Sequence, residues 1–418
     1  MMNEQESRQN ARIMILEGAV FWAGLSFLQG DTVITNFISI ATGSVALAGL
    51  AATFKVLFYV IGQFVFGLFI HRVCSHSRLM VKLGFFCRPV VLLMALFMLT
   101  GLSGEQAAWM FLILYALFFF LDGMINLCWT EICTRTLPIA KRGEVVVLQQ
   151  TFAGLVGLLT GWVLRVILGS SLSFQNQYTV IFGLSGVLLV INVFLLSRIR
   201  DVPHPSVPDQ PPLHPVKYLV RLLPILKHNR AVRLTLAARA CYLMTLISAP
   251  INLMFGRSAG LHDAQLATLV FMPVAGQIIA GVLWARVCRR TNYPTMMLMA
   301  EAFGIVCAIA NLLCFFLARA GVPVMLPLSV TMILIAVNTP ANNGFFQHMI
   351  TQVDARLRAD TVVLSSLVVA PLSFGTYLAG LMVETVGYMP VYLLMLVFGV
   401  IGFLLVRRRI PLEQADPG

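Results

Sequence analysis

Eight ionisable residues stand inside stretches too apolar to hold them cheaply: Glu17, Asp31, Lys55, Arg88, Asp122, Arg165, Arg239 and Glu301. A charge in the hydrocarbon layer costs roughly 2.5–3.5 kcal/mol on insertion scales. Each therefore needs an opposite charge, a wet cavity or a function. The chemistry open to such a set is ion pairing, proton carriage by a carboxylate and hydrogen bonding to a polar solute. Enzyme chemistry is not expected, because no nucleophile, base and orienting group fall together. No GxxxxGK loop is present for ATP, and no His/Cys spacing suits a metal or cofactor.

Position along the apolar runs sorts these residues. At 1.5 Å per residue, Asp31 lies about 10 Å below the outer end of its run and Lys55 about 13 Å below the outer end of the next. The connecting loop is short, which makes a buried Asp31–Lys55 ion pair the simplest account. Such a pair is either static or a titratable, substrate-contacting element of a cavity. Asp122 and Asn126 lie four residues apart and share one helix face, and so do Asn338 and Asn342. These four either line a cavity or bond neighbouring helices together. Arg88 and Glu301 sit at similar depth in two other runs. With Glu17 and Arg239 they are expected as buried charge partners, Asp122 being a candidate partner for Arg88. Glu17 and Arg239 could also snorkel or join an inner gate, and Arg165 is expected to snorkel.

The elements that must position these side chains are membrane helices. The chain has 418 residues, 59% hydrophobic and only 11% charged, against about 25% charged in soluble domains. Apolar runs fall near residues 13–38, 46–70, 80–101, 107–129, 144–168 and 177–197, then 232–255, 263–285, 294–317, 325–348, 361–385 and 388–406. Each is long enough to span a bilayer. Between the two sets, residues 198–230 are polar, with six prolines from Pro203 to Pro215. That stretch reads as a linker ending in a short interfacial helix. The expected organisation is all-α: a six-helix bundle over 1–197, a cytoplasmic linker over 198–230 and a second bundle over 231–418.

The net charge of +12 describes topology rather than nucleic-acid binding. Of the 29 Lys and Arg, four lie in spans and two, Arg257 and Arg319, in one set of loops. The other 23 occupy the alternate loops, the termini and, for Lys82 and Arg233, the first turn of a span adjoining such a loop. This asymmetry places both termini in the cytoplasm, with anionic-lipid contact as a secondary consequence. None of the eight cysteines falls in an expected external loop, so no structural disulfide is expected. His71, His76 and His348 are expected as surface or interface residues.

The two halves repeat each other. Arg72-Val73-Cys74 recurs as Arg286-Val287-Cys288, 214 residues on. Arg142 with Val146-Val147-Leu148 recurs as Arg358 with Val362-Val363-Leu364, 216 residues on. Asp122 and Asn126 align at the same spacing with Asn338 and Asn342. Three matches in consistent order indicate a duplicated six-helix unit, an arrangement common in secondary transporters.

On these features the chain resembles the major facilitator superfamily (MFS). The resemblance covers nearly the whole sequence. Gly67 and Arg72 fit the family's Gly-x-x-x-Asp-Arg-x-Gly-Arg-Arg loop after helix 2, although His71 stands at the Asp position and Cys74 at the second Gly. Arg142-Gly143 fits the entry to helix 5. Helix 5 has Gly154, Gly157 and Gly161 but lacks the proline of the family's drug–proton antiporters. The resemblance implies two pseudo-symmetric bundles of six helices with a central cavity lined by helices 4 and 10. It adds Asp122, Asn126, Asn338 and Asn342 to Asp31 and Lys55 as candidate cavity residues. It also implies a cytoplasmic gate, here His71 and Arg72 with Arg142, Glu144, Arg358 and Asp360, in which Asp360 and Glu144 supply the negative charge that His71 lacks. The expected function is alternating-access transport of a small solute. Embedded carboxylates point to proton coupling, since desolvation favours a neutral acid. A passive facilitator, a lipid-moving carrier and a non-transporting sensor are the alternatives. A monomer in a bacterial inner membrane is expected.

Overall fold

Long apolar runs satisfy their backbone in lipid as helices, because a helix closes its N–H and C=O groups within itself. A computed structural model describes residues 4–29, 33–69, 73–102, 104–137, 139–201, 214–353 and 357–409, and every regular element among them is helical. The chain forms two compact units, Met1–Gly43 with Phe54–Pro215 and Ser44–Thr53 with Val216–Gly418. Ten spans among the described residues are long and apolar enough to cross a bilayer. The first and fifth runs are helical as well and complete the twelve.

The first unit holds α1 (Glu4–Ser26), α2 (Thr35–Thr42), most of α3 (Val45–Gly67), α4 (His76–Cys87), α5 (Pro89–Met98), α6 (Gly104–Thr136), α7 (Ile139–Leu168) and α8 (Phe174–Leu196). α1 packs on α7 and α8, α4 on α6, and α5 on α8. Gln149 crosses α1 at Gly18, where any β-carbon would collide with its side chain, and donates to the Met14 carbonyl at 2.6 Å. The core of this unit is aromatic: Phe37, Phe111, Tyr178 and Phe182 meet at centroid distances of 4.9–5.8 Å.

The second unit contains α9 (Pro215–His228), α10 (Arg230–Met244), α11 (Ser248–Ser258), α12 (Asp263–Arg290), α13 (Tyr293–Arg319), α14 (Met325–Asn338), α15 (Asn342–Thr351), α16 (Arg358–Val369), α17 (Phe374–Val386) and α18 (Tyr388–Arg409). Leu222 and Ile225 of α9 pack on Val232, Leu236, Met349 and Leu364, while Val216, Leu219, Val220 and Leu223 are exposed. Exposed Phe86, Ile113 and Trp162 in one unit, and Val282, Leu326 and Val386 in the other, form surfaces suited to lipid rather than water.

Five expected spans are interrupted. The first run is not one helix over 13–38: α1 starts at Glu4 and ends at Ser26, and the next described helix starts at Thr35. The third, seventh, tenth and eleventh runs break beside Pro89, Pro250, Pro340 and Pro371. Proline donates no N–H and clashes with the preceding turn. The carbonyls released at several breaks meet side-chain donors. Tyr115 donates to Leu28 O at 3.2 Å, and Thr53 to Ser373 O at 2.6 Å. Trp284 donates to Val337 O at 2.7 Å, and the Tyr242 hydroxyl reaches Asn338 O at 2.5 Å and Thr339 O at 3.2 Å. Tyr242→Phe should therefore destabilise the protein by about 1–3 kcal/mol, the cost of stranding buried acceptors. Chemical unfolding in detergent measures this; an unchanged midpoint would show that the tenth helix holds its break without Tyr242.

Candidate functional site

In the first unit the embedded charges converge on the break in the third run. Arg88 ends α4 and precedes Pro89, so its side chain leaves the backbone where the helix restarts. Its Nη1 donates to Asp122 Oδ1 of α6 at 2.7 Å, and Arg88 is 1% exposed. The guanidinium carbon lies 4.7 Å from the Phe21 ring centroid and 5.4 Å from that of Phe118. Those aromatic faces exclude water while offering the cation their π-electrons. Glu17 is also buried; Asn192 Nδ2 of α8 donates to its backbone carbonyl and its Oε1, both at 3.1 Å. Glu17 stands one turn before Phe21 on the same helix, which brings α1 to the Arg88 guanidinium. Four helical runs thus share one buried polar node.

Asp122 and Asn126 do share a side of α6, but they meet different partners. Asp122 turns to Arg88, whereas Asn126 Oδ1 accepts from Gln63 Nε2 of α3 at 3.3 Å. Lys55 lies 5.9 Å from the Phe119 ring centroid. Asp31, its expected partner, lies outside the described residues. So do His71 and Arg72, and the side chains of Arg142, Glu144, Arg358 and Asp360. The backbone carries the first two of these four on α7 and the last two on α16.

The second unit places its asparagines around the break in the tenth run. Asn338 Nδ2 donates to the Ala300 carbonyl of α13 at 3.1 Å. One turn on, Asn342 Oδ1 accepts from Arg239 Nε of α10 at 2.9 Å. Arg239 Nη1 also donates to Ser365 Oγ of α16, and Phe346 lies 6.0 Å from the guanidinium. Arg239 is mostly buried yet keeps some exposure. Its expected charge partner is missing: no described carboxylate lies within 4 Å, and its close partners are neutral oxygens.

Glu301 departs from expectation further. It is completely buried, and neither carboxyl oxygen has a hydrogen-bond partner among the described residues. The facing helix α18 presents Gly402 there, where a β-carbon would overlap the carboxyl group. Tyr242 and Cys241 of α10 and Cys307 of its own helix α13 are ionisable groups in this region. No basic side chain reaches Glu301 among the described residues. The acid is accommodated by space, not by charge.

Of the three histidines expected at a surface or an interface, two are buried. His76 is 1% exposed, with Arg135 at 3.2 Å from its Nδ1, and His348 is 7% exposed. Asn192, Tyr242, Trp284 and Ser365 complete the polar nodes, and hydropathy alone does not single them out. Asn192 and Tyr242 become visible once every polar residue in an apolar run is asked the question put to the charged ones. Among the described residues, no three His, Cys, Asp or Glu side chains cluster as metal ligands.

Solved structures with this arrangement of helices include solute carriers. The chain aligns with the D-xylose–proton symporter at 13% identity and TM-score 0.69, covering 96% of this chain and 97% of that one. The inward-open xylose transporter XylE of E. coli aligns at 12% identity and TM-score 0.70, covering 98% of both chains. A peptide transporter POT in complex with sulfate aligns at 16% identity and TM-score 0.68, over 98% of this chain and 99% of that one. At such identities these likenesses establish fold alone. No curated protein matches. The sequence profile of the Major Facilitator Superfamily matches residues 19–359, most of both repeated halves. With twelve helical runs in two related bundles, the chain belongs to that superfamily.

Proposed function

We propose that this protein is a secondary active transporter that moves a small solute by alternating access and couples it to protons. The observation that carries the coupling is Glu301, a fully buried acid whose two oxygens have no described donor. An ionised carboxylate without donors is strongly disfavoured in a low-dielectric interior. A change of helix packing that admitted water or a donor would favour proton release. This is the behaviour a proton-coupled carrier needs. The D-xylose–proton symporter, a relative by fold, is named for the same coupling. The asymmetry of Lys and Arg supports cytoplasmic termini, and short loops support a bacterial inner membrane.

Reconstitution into liposomes tests this reading. Labelled D-xylose, a dipeptide and a dicarboxylate serve as probes, each with and without an imposed pH gradient. The expected result is accumulation of a probe above its equilibrium ratio, abolished by a protonophore. Gradient-independent equilibration would indicate a passive facilitator of the same fold. Absence of flux for every probe, in vesicles shown to hold folded protein, would favour a sensor or a lipid-moving carrier.

A further inference from the structure

Two arginines stand deep in the described spans, and the protein treats them in opposite ways. Arg88 is sealed from solvent and neutralised by Asp122. Arg239 stands nine residues into α10, about 14 Å along its axis. It is held by Asn342 and Ser365 but matched by no described carboxylate. These contacts take one N–H from Nε and one from Nη1, and they fix the plane of the guanidinium. An arginine has five such donors. The described side chains leave three of them unengaged, on a group that is mostly buried yet keeps some exposure. Alongside, α15 carries exposed Asn343 and Gln347, one turn apart on a shared face.

We infer that Arg239, oriented by Asn342 and Ser365, binds the anionic group of the transported solute, so that the substrate is a small organic anion bearing a carboxylate or phosphate. This inference rests on the transporter reading. A guanidinium whose plane is fixed and whose outer edge is free matches a two-oxygen anion in a parallel, bidentate manner. Neutral positioning groups suit such a site, because a resident carboxylate would compete with the ligand, as Asp122 does at Arg88. Asn343 and Gln347 add amide donors for other oxygens of the same solute. On its own helix, Tyr242 stands three residues on, its hydroxyl turned to the Asn338 and Thr339 carbonyls. On α16, Asp360 lies five residues before Ser365 with its side chain outside the described residues, so the test must include it.

The experiment is ligand-induced stabilisation of the purified full-length protein. The probes are glutarate, gluconate and glycerol 3-phosphate, with glycerol, glucose and choline as uncharged and cationic controls. A ligand that binds the folded state raises its apparent stability. At least one anion, and none of the controls, should stabilise the wild type. Arg239→Gln should raise the half-saturating concentration of that anion at least tenfold. Arg239→Lys, which keeps the charge without the fork, should fall between them. If Arg239→Gln does not fold, Ser365→Ala, which loosens the guanidinium, should weaken the same anion several-fold.

The inference is overturned if no anion stabilises the wild type, or if Arg239→Gln binds the anion as the wild type does. It is also overturned if phosphatidylglycerol micelles stabilise the protein through Arg239 while the soluble anions do not, which would make the ligand a lipid headgroup. Strong coupling between Arg239→Gln and Asp360→Asn without any probe would likewise overturn it, by revealing a resident counter-charge. Binding and flux are separate readouts. An anion that binds through Arg239 but never crosses liposomes would defeat the transporter reading and leave the binding site standing.

Discussion

Asp122→Ala is expected to destabilise the protein by about 3–5 kcal/mol, the characteristic cost of leaving one member of a buried ion pair alone. Arg88 would remain 1% exposed, between Phe21 and Phe118, with its carboxylate gone. It could not snorkel easily, because it leaves the chain at the junction of α4 and α5 in the middle of a span. Arg88→Met should cost less, since an unpaired Asp122 can take up a proton whereas arginine cannot shed one. The double variant Arg88→Met with Asp122→Leu should recover most of the loss. Attraction in a low-dielectric site largely repays the desolvation of two charges, so removing both changes little. Unfolding midpoints of the four proteins in one detergent give the coupling energy directly. Additive losses would show that the two residues are stabilised independently and that their 2.7 Å contact contributes little.

The distinction between legible and illegible features follows from what each depends upon. The twelve spans depend on local composition, and the repeat on residue identity, so both are present in the linear sequence. The breaks are partly legible: Pro340 marks an unpaired carbonyl wherever it falls in a helix. Nothing local says that Tyr242 and Trp284, 96 and 53 residues away from the carbonyls they reach, would meet that break. The charges show the same division. That Arg88 needs a partner follows from hydropathy; that Asp122 rather than Glu17 makes the ion pair depends on the rotations of α1 and α6 within the bundle. Arg239 and Glu301 are expected to have charged partners because burial is costly. The structure answers the cost differently, with oriented neutral groups for one and an enclosed site beside Gly402 for the other. A rule stating that buried charges are paired cannot announce its own exceptions, and function is expected among those exceptions.

Glu301→Met should therefore make the protein more stable and less useful. A buried polar group without a hydrogen bond costs about 1–3 kcal/mol by protein mutational measures. An unbranched apolar side chain of similar length removes that cost and still fits beside Gly402, since methionine bends into irregular gaps. A rise in unfolding free energy of that order is expected, against the usual loss for a core substitution. If Glu301 carries the coupled proton, the same variant loses accumulation of solute above equilibrium while retaining ligand binding at Arg239. Glu301→Gln separates charge from shape: it preserves size and polarity, cannot release a proton, and should lose gradient-driven accumulation without the gain in stability. The expected signature is the dissociation of two readouts, stability rising in one variant and coupling absent in both. If Glu301→Met instead loses stability and still accumulates solute, then Glu301 is satisfied by a buried water or an undescribed group. Its place in α13 would then be structural, and the proton would have to be carried by another acid, with Glu17 and Asp31 the next to replace.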